Sequence, residues 1–178
     1  MLKRRNRGTL RLFWQAHVRR LLLILALAAL AAAAPAEAAR PAPAAWATVN
    51  VCDTAEHPNQ MGIRGSMAGI ARSTRMYMRF RVQYQNEDGR WRMVRAPLTD
   101  SGWVRVATGK RGEHDSGWTF SFKPPASGGA HVLRGVVSFE WRRAGRIVRR
   151  TREFTEAGHP GTAGAEPPDF SAETCEIA

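Results

Sequence analysis

Cysteine is nearly absent from this chain of 178 residues, which holds only Cys52 and Cys175. That excludes a disulfide-dense scaffold and leaves one possible pairing, with two reactive thiols or a shared metal as the alternative reading. Lysine is equally scarce beyond residue 38, where Lys110 and Lys123 stand against 18 arginines. No apolar run reaches the roughly 20 residues that a bilayer-spanning helix needs. Catalytic signatures are missing too. There is no HExxH pairing, no GxSxG around Ser66, Ser116 or Ser138, no phosphate-binding loop, no dinucleotide fingerprint and no Asn-x-Ser/Thr acceptor. An enzyme therefore has no support in the sequence, and no metal or cofactor is expected.

What is present begins with an address. Lys3, Arg4, Arg5, Arg7, Arg11, Arg19 and Arg20 precede an apolar run of 14 residues from Leu21 to Ala34, and Ala36-Glu37-Ala38 offers small residues where a signal peptidase reads. The pattern predicts a signal peptide over 1–38, cleaved after Ala38, and a secreted or extracytoplasmic protein. A membrane is expected as a partner only if that signal is retained as an anchor. Residues 1–38 carry seven of the 27 basic and one of the 15 acidic residues, so their removal lowers the formal charge from +12 to +6. Half of the basicity belongs to the address. In the remainder, arginine in place of lysine fits recognition of phosphate or carboxylate by guanidinium forks. It fits equally an Ala-, Gly- and Arg-rich compositional bias.

Residues 39–45 form an Ala/Pro-rich lead-in with no helical prospect. A single domain is expected over 46–178, long enough to bury roughly two-thirds of its extended-chain surface. Its first strand is Trp46–Cys52. Ile63–Ala71 makes a weaker one, with Gly65 and Gly69 marking a bulge or a closely crossing neighbour. The cleanest alternation is Met76–Gln85, where Met76, Met78, Phe80, Val82 and Tyr84 share one face and Arg79, Arg81 and Gln83 the other. The turn Asn86-Glu87-Asp88-Gly89 folds it back into Arg90–Val94. Trp103–Ala107, Trp118–Lys123 and the hairpin His131–Thr155 complete the set. In that hairpin Leu133, Gly135, Val137, Phe139 and Trp141 alternate with Arg134, Ser138, Glu140 and Arg142, and Gly145 serves the turn. Gly109–Gly117 reads as a polar loop and Glu156–Pro168 as a loop tail, pinned by Phe170 and Ile177. No stretch between Trp46 and Phe154 carries a helical period. The expected fold is all-β, a sandwich of about seven to eight antiparallel strands.

Three segments, MYMRFRVQYQNEDGRWRMV, WTFSF and VLRGVVSFEWRRAGRIV, resemble an immunoglobulin-like or fibronectin type III-like β-sandwich, as found in small secreted bacterial proteins with no assigned activity. The resemblance covers roughly residues 46–154. It implies a fold and no site, because that architecture hosts many functions. One departure stands out: immunoglobulin domains link their sheets by a disulfide between central strands, whereas Cys52 and Cys175 lie near the two ends of the domain.

The candidate binding set is Arg142, Arg143, Arg146, Arg149, Arg150 and Arg152, with Trp141 as a stacking surface. These residues suit the phosphates or carboxylates of an acidic polymer of the cell envelope. The competing reading is an edge kept soluble by charge. No specific nucleic acid is implied. The expectation is an exported non-enzymatic binding or structural module whose partner is an envelope protein or acidic polymer. Two alternatives stand beside it: a secreted hydrolase or metal-dependent enzyme with a loop site around His57 and His114, and a subunit that docks through its aromatic strand.

Overall fold

The computed structural model describes residues 45–178 apart from Ala71, Lys110 and Ser127, so the predicted signal peptide and the lead-in up to residue 44 lie outside the described residues. Nine strands follow in order: β1 (Ala45–Cys52), β2 (Gln60–Ala68), β3 (Arg75–Gln85), β4 (Trp91–Met93), β5 (Val104–Thr108), β6 (Glu113–Ser121), β7 (His131–Arg143), β8 (Arg146–Phe154) and β9 (Thr174–Ile177). Among the described residues there is no helix, and the ladders between these strands are all antiparallel. The described residues form an all-β sandwich.

Its larger sheet is built on β3 and β7, which run antiparallel in unbroken register from Arg75↔Arg142 to Tyr84↔Leu133. Period-two alternation puts Met76, Met78, Phe80 and Val82 on the same face as Trp141, Phe139 and Val137, and all seven side chains are fully buried. Each of these long strands shares its outer edge between two short ones. β5 and β4 divide the edge of β3, and β8 and β9 divide that of β7. Between β5 and β4 the edge is kept occupied by Ser101, whose N–H donates to the Phe80 carbonyl at 3.0 Å while its Oγ accepts from the Phe80 N–H at 2.9 Å.

The smaller sheet, in the order β1–β2–β6, packs its inner face of Ala47, Val49, Met61, Ile63, Met67 and Phe120 against that core. Close approach, not a bulge, explains Gly65. A Cβ there would stand 3.3 Å from both the Met78 sulfur and the tip of the Phe139 ring. The register shift of this sheet lies instead in β1, between Val49 and Val51. The free edge of β1 is covered by the 155–172 segment, through bridges Ala47↔Thr155, Val51↔Glu166 and Val49↔Ala172, the last with hydrogen bonds of 3.0 and 3.1 Å. Trp46 stacks on His159 with centroids 4.1 Å apart.

Two sequence expectations change. Glu113–Gly117, read as part of a loop, is the first half of β6, paired from Ala68↔Glu113 onward. It is polar because β6 lies at the edge of its sheet, where little of the strand is buried. The C-terminal tail also contains a strand, β9, whose four residues are too few to show a period. Its inward residues, Cys175 and Ile177, are buried. Cys52 and Cys175 are joined, with Cα atoms 5.4 Å apart across 123 residues of sequence. Because Cys52 ends β1 and Cys175 lies in β9, the bond links the two sheets from their margins.

Candidate anion-binding face

The outward face of the larger sheet follows from the registers that bury the inward one. Opposite residues make three rows across β3, β7 and β8: Tyr77–Glu140–Arg150, Arg79–Ser138–Arg152 and Arg81–Val136–Phe154. β3 thus brings arginines of its own beside those of β8.

The first row is closed. The Glu140 side chain has no exposure, and both its oxygens are occupied: Arg142 Nε donates to Oε2 at 2.7 Å and Arg150 Nε to Oε1 at 2.8 Å. A buried carboxylate demands such partners, so these two guanidiniums serve Glu140 first. Arg142 is also laid over Tyr77 at 4.3 Å and Trp103 at 5.2 Å from the ring centroids. Further along the face, Arg134 is clamped between Trp91 at 4.3 Å and Phe154 at 4.1 Å, and its Nε donates to Gln83 Oε1 at 2.9 Å. Burial pushes the Arg134 guanidinium below its ordinary value, against the pull of Glu173.

The second and third rows are open. Arg79 is held by Asp100, with Nε donating to Oδ1 at 2.8 Å and Nη2 to Oδ2 at 2.5 Å. The hydrogen bond from Arg79 holds the Asp100 carboxyl below the usual carboxylate range. Arg81 has no such partner. Its Nη2 donates to Ser138 Oγ at 3.3 Å, while its Nε is shielded from water and bonded to nothing. Burial lowers its pKa, and the charges of Arg79 and Arg152 lower it further, against the weaker pull of Asp100. Arg152 is exposed, and among the described residues it makes no hydrogen bond or ion pair. Beside it lies a shallow depression of about 290 Å³ lined by Ser138, Arg150, Thr151 and Arg152.

Of the arginines expected to form the site, therefore, Arg142 and Arg150 are engaged by Glu140. Arg149 lies over the Trp141 ring at 5.1 Å. Arg143 and Arg146 face each other beside the Ala144–Gly145 turn, and Arg152 remains open. Trp141 is a correction. It is fully buried, with its indole N–H donating to the Ala68 carbonyl at 2.8 Å, so it offers no surface for stacking. The aromatic rings on the outer face are Tyr77, Trp91, Trp103 and Phe154, and Arg134 or Arg142 lies against each of them. The sequence assigns Arg79 and Arg81 to a wet face but does not show that they lie beside Arg152. The order β3–β7–β8 brings them together, and no local pattern encodes it.

The alternative site around His57 and His114 is not assembled. His57 lies in the loop before Gln60, which pairs with Ser121, whereas His114 pairs with Met67. Seven residues of strand separate those positions, roughly 23 Å at about 3.3 Å per residue. Glu113 and Asp115 flank His114 within β6 and point to the opposite face. Among the described residues, no three His, Cys, Asp or Glu side chains are grouped as a metal site. On the aromatic strand, Phe120 is buried, Phe122 packs against the core and Trp118 is half-exposed.

No protein-family model matches the chain, and no curated protein matches it.

Proposed function

We propose that this chain is an exported, non-enzymatic binding module of the cell envelope or extracellular space, and that it holds an acidic polymer on the outer face of its larger sheet. The observation that carries this reading is the placement of Arg81 and Arg152 about Ser138 with no carboxylate committed to either. Asp100 is spent on Arg79 and Glu140 on Arg142 and Arg150. An anion arriving at Ser138 would relieve the repulsion that these guanidiniums exert on one another, and it would meet donors from three adjacent strands. The Cys52–Cys175 bond fits an oxidising, extracytoplasmic setting. We read the sandwich as immunoglobulin-like, with its disulfide moved from the sheet centres to their margins.

The test is retention of the full chain on immobilised heparin across a salt gradient, beside an Arg81→Gln/Arg152→Gln variant and an Arg143→Gln/Arg146→Gln variant. All three carry matched charge changes or none, so site and net charge are separated. We expect retention that falls steeply with salt and is lost chiefly in the first variant. Absence of retention at low salt, or equal losses in both variants, would reject a site centred on Ser138.

A further inference from the structure

A third uncompensated arginine lies on the outer face of the smaller sheet. Arg64 of β2 stands in register between Thr48 of β1 and Gly117 of β6. It is partly buried, its Nε is shielded from water with no hydrogen-bond partner, and it makes no ion pair among the described residues. Asp115, one register step away on the same face, does not reach it. Two glycines and the covering segment shape the space around this side chain. A Cβ at Gly117 would stand 3.1 Å from the Ile63 carbonyl oxygen, 3.3 Å from Arg64 Cδ and 3.4 Å from Nη1, so the arginine lies close over this glycine and a larger residue would crowd it. A Cβ at Gly62 would meet Asn50 Oδ1 at 2.8 Å. The opposite wall is the 163–164 backbone, fixed where Asn50 Nδ2 donates to the Gly164 carbonyl at 2.9 Å. The result is a cleft of about 340 Å³ between Arg64, Thr119 and Gly164.

We infer that this cleft is a separate binding site for a carboxylate-bearing ligand about the size of one sugar residue. A partly desolvated guanidinium without a counter-charge is costly to keep, and a planar oxyanion on its fork removes that cost. The volume lies at the small end of ligand pockets, which suits one ring and not a polymer segment. Thr119 and the neighbouring backbone provide the polar groups that would orient hydroxyls. The site depends on none of the residues around Ser138, which belong to the other sheet.

The experiment is a nuclear magnetic resonance titration of the full chain with D-glucuronate, with D-glucose as the uncharged counterpart. Glucuronate is expected to give saturable shifts at the Arg64 Nε–H and at the amides of Gly117, Thr119 and Gly164, and glucose none. Arg64→Gln should weaken binding at least tenfold, and Arg81→Gln/Arg152→Gln should leave it unchanged. Amide shifts away from the cleft report whether Arg64→Gln keeps its fold; Arg64→Lys, which keeps the charge and loses the fork, should also bind more weakly. The inference fails if glucuronate gives no saturable shift at Arg64, if glucose shifts the same amides equally, or if folded Arg64→Gln binds as the parent does. Response lost only in Arg81→Gln/Arg152→Gln would assign glucuronate to the larger sheet and also overturn it.

Discussion

β7 and β8 are two arms of one hairpin, and they share neither burial nor purpose. In β7 the seven residues from Gly135 to Trp141 are buried without a break, whereas none of the nine residues of β8 is. Both arms mix apolar residues with arginine, three arginines in thirteen residues of β7 and four in nine of β8, but position separates them further. β7 has neighbours on both edges, a core beneath it and guanidiniums folded over its outward residues, so even Ser138 and Glu140 are buried. β8 has β7 along one side and leaves Ile147 and Val148 about half exposed. The inner arm carries the fold, and the outer arm carries exposed charge, of which Arg150 is tied to Glu140.

The sharpest way to break this comparison is to remove one large side chain from each arm. Trp141→Ala should lower stability by about 3–5 kcal/mol, through the cavity and the unpaired Ala68 carbonyl. Val148→Ala should change it by less than about 0.5 kcal/mol. Urea unfolding measures both, and comparable losses would show that the arms are not so divided. A middle-sized effect is expected where the arms interlock. Replacing Arg142 and Arg150 together by Met strips Glu140 of its counter-ions. The loss should be on the order of 2–3 kcal/mol, below the about 3–5 of a deeply buried pair because Arg150 remains accessible. Adding Glu140→Gln to that variant should recover part of the loss, and failure to do so would mean the charge on Glu140 was not the cause.

The smallest effect concerns acid. Asp100 titrates below the ordinary carboxylate range in the folded chain because Arg79 bonds its ionised form. Its contribution is therefore present above the ordinary carboxylate pKa and is lost as pH falls through the lower folded value. Both partners are more than a third exposed, so Asp100→Asn should remove only a few tenths of a kcal/mol near neutral pH. Below the folded value of Asp100, the parent and Asp100→Asn should unfold at the same urea concentration. A gap that persists there would rule out the ion pair as its source.

The strands with clean alternation were legible from residues alone. Met76–Gln85 and the 131–155 hairpin lie where their period places them, and Ala144 and Gly145 both take positive φ at the turn, 47° and 79°. Pattern failed where a strand is short or lies at an edge. β9 has four residues, and the first half of β6 is polar, so neither presents an apolar period to read. The candidate site was half legible. Its β8 arginines were visible as a cluster, but which of them are consumed by Glu140, and which are joined by Arg81, depends on strand order.

By itself the sequence determined the all-β character, the inward faces of β3 and β7 and the one possible cysteine pair, because each follows from local periodicity or from counting. Tertiary structure alone decided that the Cys52–Cys175 bond spans the two sheets, that the buried Trp141 is closed to a stacking ligand, and that Arg64, Arg81 and Arg152 make no ion pair among the described residues. The physical reason is that charge compensation and burial belong to neighbours across strands, up to 57 residues apart for Arg81 and Ser138 and 123 for the two cysteines. A local period records which face a residue takes and says nothing of which other strand will meet it there.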